Sequence, residues 1–92
     1  MNTPVAKTLG KTPFSSCNPD GQMLFRINPD ICVEDALEHA SCLMDCVNRL
    51  SQFGTTEENS ESAIWAAHYL GEMAKAIIDD VTLGLFQARN NQ

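Results

Sequence analysis

Two stretches of this chain repeat their apolar residues every three or four positions, and no other feature limits its possible folds as tightly. Between residues 33 and 53, Val33, Leu37, Ala40, Met44 and Val47 step by four and three, with Ala36, Leu43 and Leu50 widening the stripe. From about Ser62 to about Leu83 the same spacing runs through Ala63, Ala66, Ala67, Leu70, Met73, Ala74, Ile77, Ile78 and Val81. An apolar face with a 3.6-residue period makes each stretch an amphipathic helix, about 30–33 Å long at 1.5 Å per residue. Asp30, Glu34 and Asp35 put negative charge at the first helix start, and Arg49 sits near its end. The intervening FGTTEENSES breaks the pattern: Gly54 suits a helix terminus, and Thr55, Asn59, Ser60 and Ser62 compete to cap the next start. Two helices of matched length joined by about eight residues predict an all-α fold, an antiparallel helical hairpin.

A chain of 92 residues makes one domain with a thin core. Each helix carries a second apolar strip beside the first. On helix one it is Cys32, His39, Cys42, Cys46 and Phe53; on helix two it is Trp65, Tyr69, Ala76 and Leu83. A two-helix hairpin hides one face of each helix, so these strips require another cover. The simplest is a second copy, giving a homodimeric four-helix bundle with Cys46, Phe53, Trp65, Tyr69, Ala76 and Leu83 at the interface. Gly71 lies mid-helix, four residues after Ala67. It marks either a close helix crossing or an incidental glycine.

The first part of the chain has no helical period. Residues 1–22, rich in Thr, Pro, Ser, Gly and Asn, read as a flexible N-terminal arm, and residues 23–88 as the helical hairpin domain. Within the arm, NPDG at residues 18–21 is a turn signal. The following MLFRI has the bulk of a short strand that would pair back on PFSS, resting on the helices because an isolated ribbon is marginal in water.

The net charge of −6 is unevenly spread: +1 over residues 1–31, −5 over 32–59 and −2 over 60–92. Neither nucleic acid nor an anionic membrane suits such a chain, because both reward lysine and arginine clusters. The acidic helices instead suit a basic protein partner, whose identity the residues do not give. The N-terminus lacks the apolar run of a signal peptide, and AIWAAHYLGEMAKAII contains His68, Glu72 and Lys75, so the expectation is a soluble cytoplasmic protein. Four cysteines (Cys17, Cys32, Cys42, Cys46) are then expected as reduced thiols.

HASCLMDCVNR, residues 39–49, uses the vocabulary of a metal site. His39, Cys42 and Cys46 share a helical face, with Asp35 one turn before. Residues seven apart, however, lie about 10 Å apart along a helix, and zinc needs ligands within about 2.0–2.3 Å of one point. One helix cannot close that site. The reading preferred is cysteine as a small packing residue, with no cofactor; a metal- or thiol-responsive sensor built on His39, Cys42 and Cys46 is the alternative. His68 reads as a solvated rim histidine, and Trp65 with Tyr69 as residues packing on a partner helix or as a binding anchor. Asp79 and Asp80 point about 100° apart and do not converge on one proton. No nucleophile triad or phosphate-binding loop is present, so the expected function is a non-enzymatic accessory or regulatory protein-binding module.

LFRINPDICVEDALEHASCLM, followed by WAAHYLGEMAKAIIDDV, resembles an uncharacterised domain of unknown function found in short proteins of Gram-negative bacteria. The resemblance covers roughly residues 24–81, and its second block is the more specific. The family's pattern has proline near Cys32, and Cys42 and Cys46 are departures from it, which weakens the metal reading. What the resemblance implies is a helical protein of the bacterial cytoplasm, without an activity.

Overall fold

Cys32 starts the first helix as its periodicity requires: its carbonyl accepts the Ala36 N–H at 3.0 Å, and Glu34 and Asp35 fill the first turn. In the computed structural model, which describes residues 5–53 and 60–90, the order is β1 (Pro13–Ser16), β2 (Met23–Arg26), α1 (Val33–Phe53) and α2 (Ser60–Asn90). The bounds of α1 coincide with its apolar period. Helix α2 does not stop near Leu83 but continues to Asn90, so the helices have 21 and 31 residues and are not matched. Residues 54–59 lie outside the described residues.

The two helices pack along a seam of small side chains. Ala36, Ala40, Ala74, Val33 and Val81 are buried, and Ala6 and Ile77 pack against the Val33–Ala36–Val81 cluster. Cα extents of 57 × 31 × 14 Å describe a body one helix thick. Three residues expected in the core are half exposed instead: Leu37 at 40%, Met44 at 42% and Ile78 at 42%. One helix neighbour covers a seam narrower than the apolar stripe, so the stripe's edge stays open. Gly71 is not a close crossing within the chain; a Cβ built there meets only the Val47 Cγ2, at 4.0 Å.

The N-terminal part carries the short β segment that MLFRI and PFSS lead one to expect beside the helices. β1 and β2 form a two-stranded antiparallel sheet, with Phe14 opposite Phe25 and their rings stacked at 5.4 Å. The NPDG turn closes through Gly21 N–H donating to the Asn18 carbonyl at 3.0 Å, with Gly21 at φ +77°. Such a ribbon needs support. It lies on α2, where Glu72 Oε2 accepts the Ser15 N–H at 3.1 Å.

The segment expected as a flexible arm is also tied down before the ribbon. The Ala6 carbonyl accepts the Val33 N–H at 3.2 Å, Thr8 N–H donates to the Ile31 carbonyl at 2.8 Å, and Lys7 bridges Cys32. The Thr8 hydroxyl donates to the Asn28 carbonyl at 2.7 Å and accepts the Ile31 N–H at 3.0 Å, and Thr8 is only 2% exposed. Residues 6–16 therefore belong to the fold.

Candidate functional site

Among the described residues, a dense set of hydrogen bonds centres on Asp80. The residue is fully buried. Its Oδ2 accepts the N–H of Leu9 at 2.6 Å and of Gly10 at 2.9 Å; its Oδ1 accepts the Lys11 N–H at 2.9 Å and the Thr12 hydroxyl at 2.8 Å. Three consecutive amides converge because Gly10, at φ +74°, turns the chain into an anion-binding nest. A Cβ at Gly10 would collide with the Pro29 ring at 2.8 Å. Burial, the largest influence, raises the Asp80 pKa, but the bonds from Gly10, Lys11, Thr12 and Leu9 together outweigh it and hold the carboxyl below its ordinary value. Asp80 is thus an ionised clamp between α2 and residues 9–12.

One turn further along α2, Gly84 completes the contact. A Cβ there would overlap the Lys7 carbonyl, so the missing side chain is what lets the segment lie on the helix. One turn before Asp80, Ala76 is 3% exposed. The clamp, Ala76 and Glu72 thus form one face, eight residues from first carboxylate to second. Glu72 also contacts His68, Oε1 to Nε2 at 2.7 Å. His68 is exposed, as expected of a rim histidine. Because Glu72 binds Ser15 through the backbone N–H, this contact does not activate the Ser15 hydroxyl. A cleft of about 530 Å³ opens beside these residues, lined by Phe14, Ser15, His68, Glu72, Lys75 and Ala76. Asp79 pairs with Lys75 at 2.6 Å, so it and Asp80 do turn to separate partners.

The sequence reading overlooked Asp80 as a structural anchor. The available signal was a carboxylate four residues from Ala76 and from Gly84, on the strip beside Trp65 and Tyr69, with the unassigned TLGKT segment supplying amides.

The expected site residues separate into groups. His39, Cys42 and Cys46 are all exposed and Cys32 is partly exposed, so none of the three is a core residue of the single chain. Among the described residues no group of three or more His, Cys, Asp or Glu is arranged to hold a metal ion. Of the expected interface strip, Trp65 (55%) and Tyr69 (51%) are open, with their rings 6.3 Å apart, and Leu83 is 43% exposed. Ala76 differs from the rest of that strip: it is 3% exposed in the single chain, on the side of α2 that carries β1. Phe53 ends α1, and its side chain lies outside the described residues. No helix among the described residues is long and apolar enough to cross a membrane.

No curated protein and no solved structure gives a significant match. A family profile described as "Protein of unknown function (DUF3077)" does match, over residues 8–84. That span takes in both strands, α1 and α2 as far as Gly84, and therefore the whole Asp80 clamp, so the chain belongs to the DUF3077 family.

Proposed function

We propose that this protein is a non-enzymatic helical module that works as a homodimer and binds another protein, as a small accessory or regulatory factor. The observation that supports this reading is apolar surface without a cover: Ile64, Trp65, Tyr69, Leu85 and Phe86 are each 48–58% exposed on a body whose buried apolar side chains are alanine and valine. Trp65 and Tyr69, one turn apart with ring centroids 6.3 Å from each other, form the kind of exposed aromatic pair that marks a protein interface. Trp65 and Tyr69 are the anchors of the partner-binding surface, because they lie beyond the end of the β-ribbon. The acidity of α1 favours a basic partner over nucleic acid or an anionic membrane. A cytoplasmic location fits reduced thiols.

The thiol- or metal-sensor reading of His39, Cys42 and Cys46 keeps one point in its favour, the exposure of all three side chains. Their spacing along one helix still prevents closure of a metal site by a single chain. Native mass spectrometry with and without zinc separates the readings: an apo dimer unchanged by zinc supports the module, and stoichiometric zinc uptake overturns it. A photo-crosslinker at position 65, introduced in the cell of origin, tests the partner surface. One discrete adduct heavier than the dimer is expected; no adduct removes the claim that Trp65 anchors a partner.

A further inference from the structure

We propose that the groove between the β-ribbon and α2 takes an extended, basic segment of a protein partner, with an arginine or lysine of that segment set against Glu72 and Asp79. This inference rests on the protein-binding reading, gives it a surface and a partner chemistry, and does not depend on the homodimer.

The groove follows one stripe of α2. Trp65, His68, Glu72, Ala76 and Asp79 recur every three or four residues and so point the same way. The ribbon lies alongside and supplies the other wall, with Phe14 and Met23 facing His68 and Glu72 across the cleft of about 530 Å³. His68 also borders a second hollow, of about 250 Å³, shared with Ile64 and Trp65, so the two hollows meet at that ring. From Trp65 to Asp79 the groove is about 21 Å long at 1.5 Å per residue. About six or seven residues of extended chain, at about 3.3 Å each, span that length. A small molecule fills only part of it.

Charge specifies the kind of segment. The cleft is lined by two carboxylates, Glu72 and Asp79, and by one lysine, Lys75; Lys11 and Arg26 do not line it. Thr12 lines it as well, and directly behind Thr12 stands the buried Asp80 carboxylate, 2.8 Å from the Thr12 hydroxyl. The surplus is negative and lies against apolar walls, where charges interact more strongly than in open water.

The ion pairs already in the groove do not close it to a cation. Lys75 and Asp79 have side chains 73% and 45% exposed, and His68 and Glu72 56% and 34%. Exposed pairs one helical turn apart are worth little, so an incoming guanidinium displaces one at small cost. An arginine also offers a planar fork that both oxygens of a carboxylate accept. Met23, 50% exposed, and Trp65, 55% exposed, receive the apolar residues beside it.

The test pans a phage-displayed library of random seven-residue peptides on the full-length protein, then measures the selected peptides, labelled with fluorescein, by anisotropy. The selected peptides are expected to be enriched in arginine or lysine beside aliphatic or aromatic residues, and to bind more weakly as salt rises. Their affinity should fall at least tenfold in the double variant Glu72→Gln with Asp79→Asn, and in Met23→Lys, which brings a competing ammonium to the groove. Glutamine keeps an oxygen for the Ser15 N–H, and Asp79 pairs with an exposed lysine, so the double variant should retain its circular dichroism. Selected peptides without a basic residue overturn the inference. So do peptides whose binding is lost in Trp65→Ala but unchanged in the double variant; the protein-binding reading then stands on Trp65 and Tyr69. Failure to select any peptide overturns the inference too, and if the photo-crosslinker at position 65 also gives no adduct, the protein-binding reading falls with it.

Discussion

Replacing Asp80 by asparagine changes almost no volume and tests whether the clamp holds the N-terminal segment. The carboxylate has two oxygens, each accepting two donors. Asparagine keeps one acceptor. If its oxygen faces Leu9 and Gly10, the amide group faces Lys11 N–H, which is left unsatisfied, and the Thr12 hydroxyl, which can rotate to accept. One unsatisfied buried donor costs about 1–3 kcal/mol, and loss of the charge weakens the remaining bonds, for a total of about 3 kcal/mol. Tenfold per 1.4 kcal/mol makes that roughly a hundredfold gain in opening of residues 8–12. Amide hydrogen exchange at Thr8, Leu9, Gly10 and Lys11 reads it directly, with the amides of α1 as an internal reference. Unchanged exchange at Leu9–Lys11 would refute the clamp. The pH dependence follows with a definite sign. The folded pKa lies below the unfolded value, so the stabilisation is complete above about pH 4 and is lost as pH falls through the folded pKa. Protection of these amides attributable to Asp80 should therefore persist from neutral pH down to about pH 5 and fail in stronger acid. The asparagine variant should lack this transition.

Gly84→Ala, in an ordinary helix interior, would stabilise by about 1 kcal/mol. Here the new Cβ overlaps the Lys7 carbonyl, so the melting temperature should fall; a rise would mean the segment does not lie on α2. Thr8→Val keeps the shape but strands the Asn28 carbonyl and the Ile31 N–H, and should cost about 1–3 kcal/mol in urea unfolding, with no loss counting against the Thr8 network. His68→Gln removes an exposed contact with Glu72 and should change stability by less than about 0.5 kcal/mol in the same assay. Cys42 and Cys46 should react with a thiol reagent in the folded protein at rates near those of the unfolded chain. Protection that grows with protein concentration would place them at the dimer interface instead.

Local patterns carried much of this fold. The period from Val33 to Leu50 set α1, and Asn18-Pro19-Asp20-Gly21 between PFSS and MLFR marked a turn and two strands, because both signals act between near neighbours. Spacing also limits what HASCLMDCVNR can do by itself, since seven residues of helix separate His39 from Cys46 and one helix alone cannot bring both to one metal ion. What sequence could not supply were contacts between distant segments. Asp80 next to Asp79 reads as one more surface acid until amides some seventy residues earlier are brought to it. The apolar period runs out near Leu83, yet α2 continues through Gly84 to Asn90, and the glycine gives the Lys7 carbonyl the room a side chain would take. Leu37, Met44 and Ile78 fit the buried stripe by period, but burial depends on how much of a helix its neighbours cover, and one neighbour covers too little. Periodicity determined which residues share a face; only the tertiary structure decided which face the N-terminal segment would occupy, because that depends on contacts such as Asp80 with Leu9, Gly10 and Lys11 that join residues far apart in the chain.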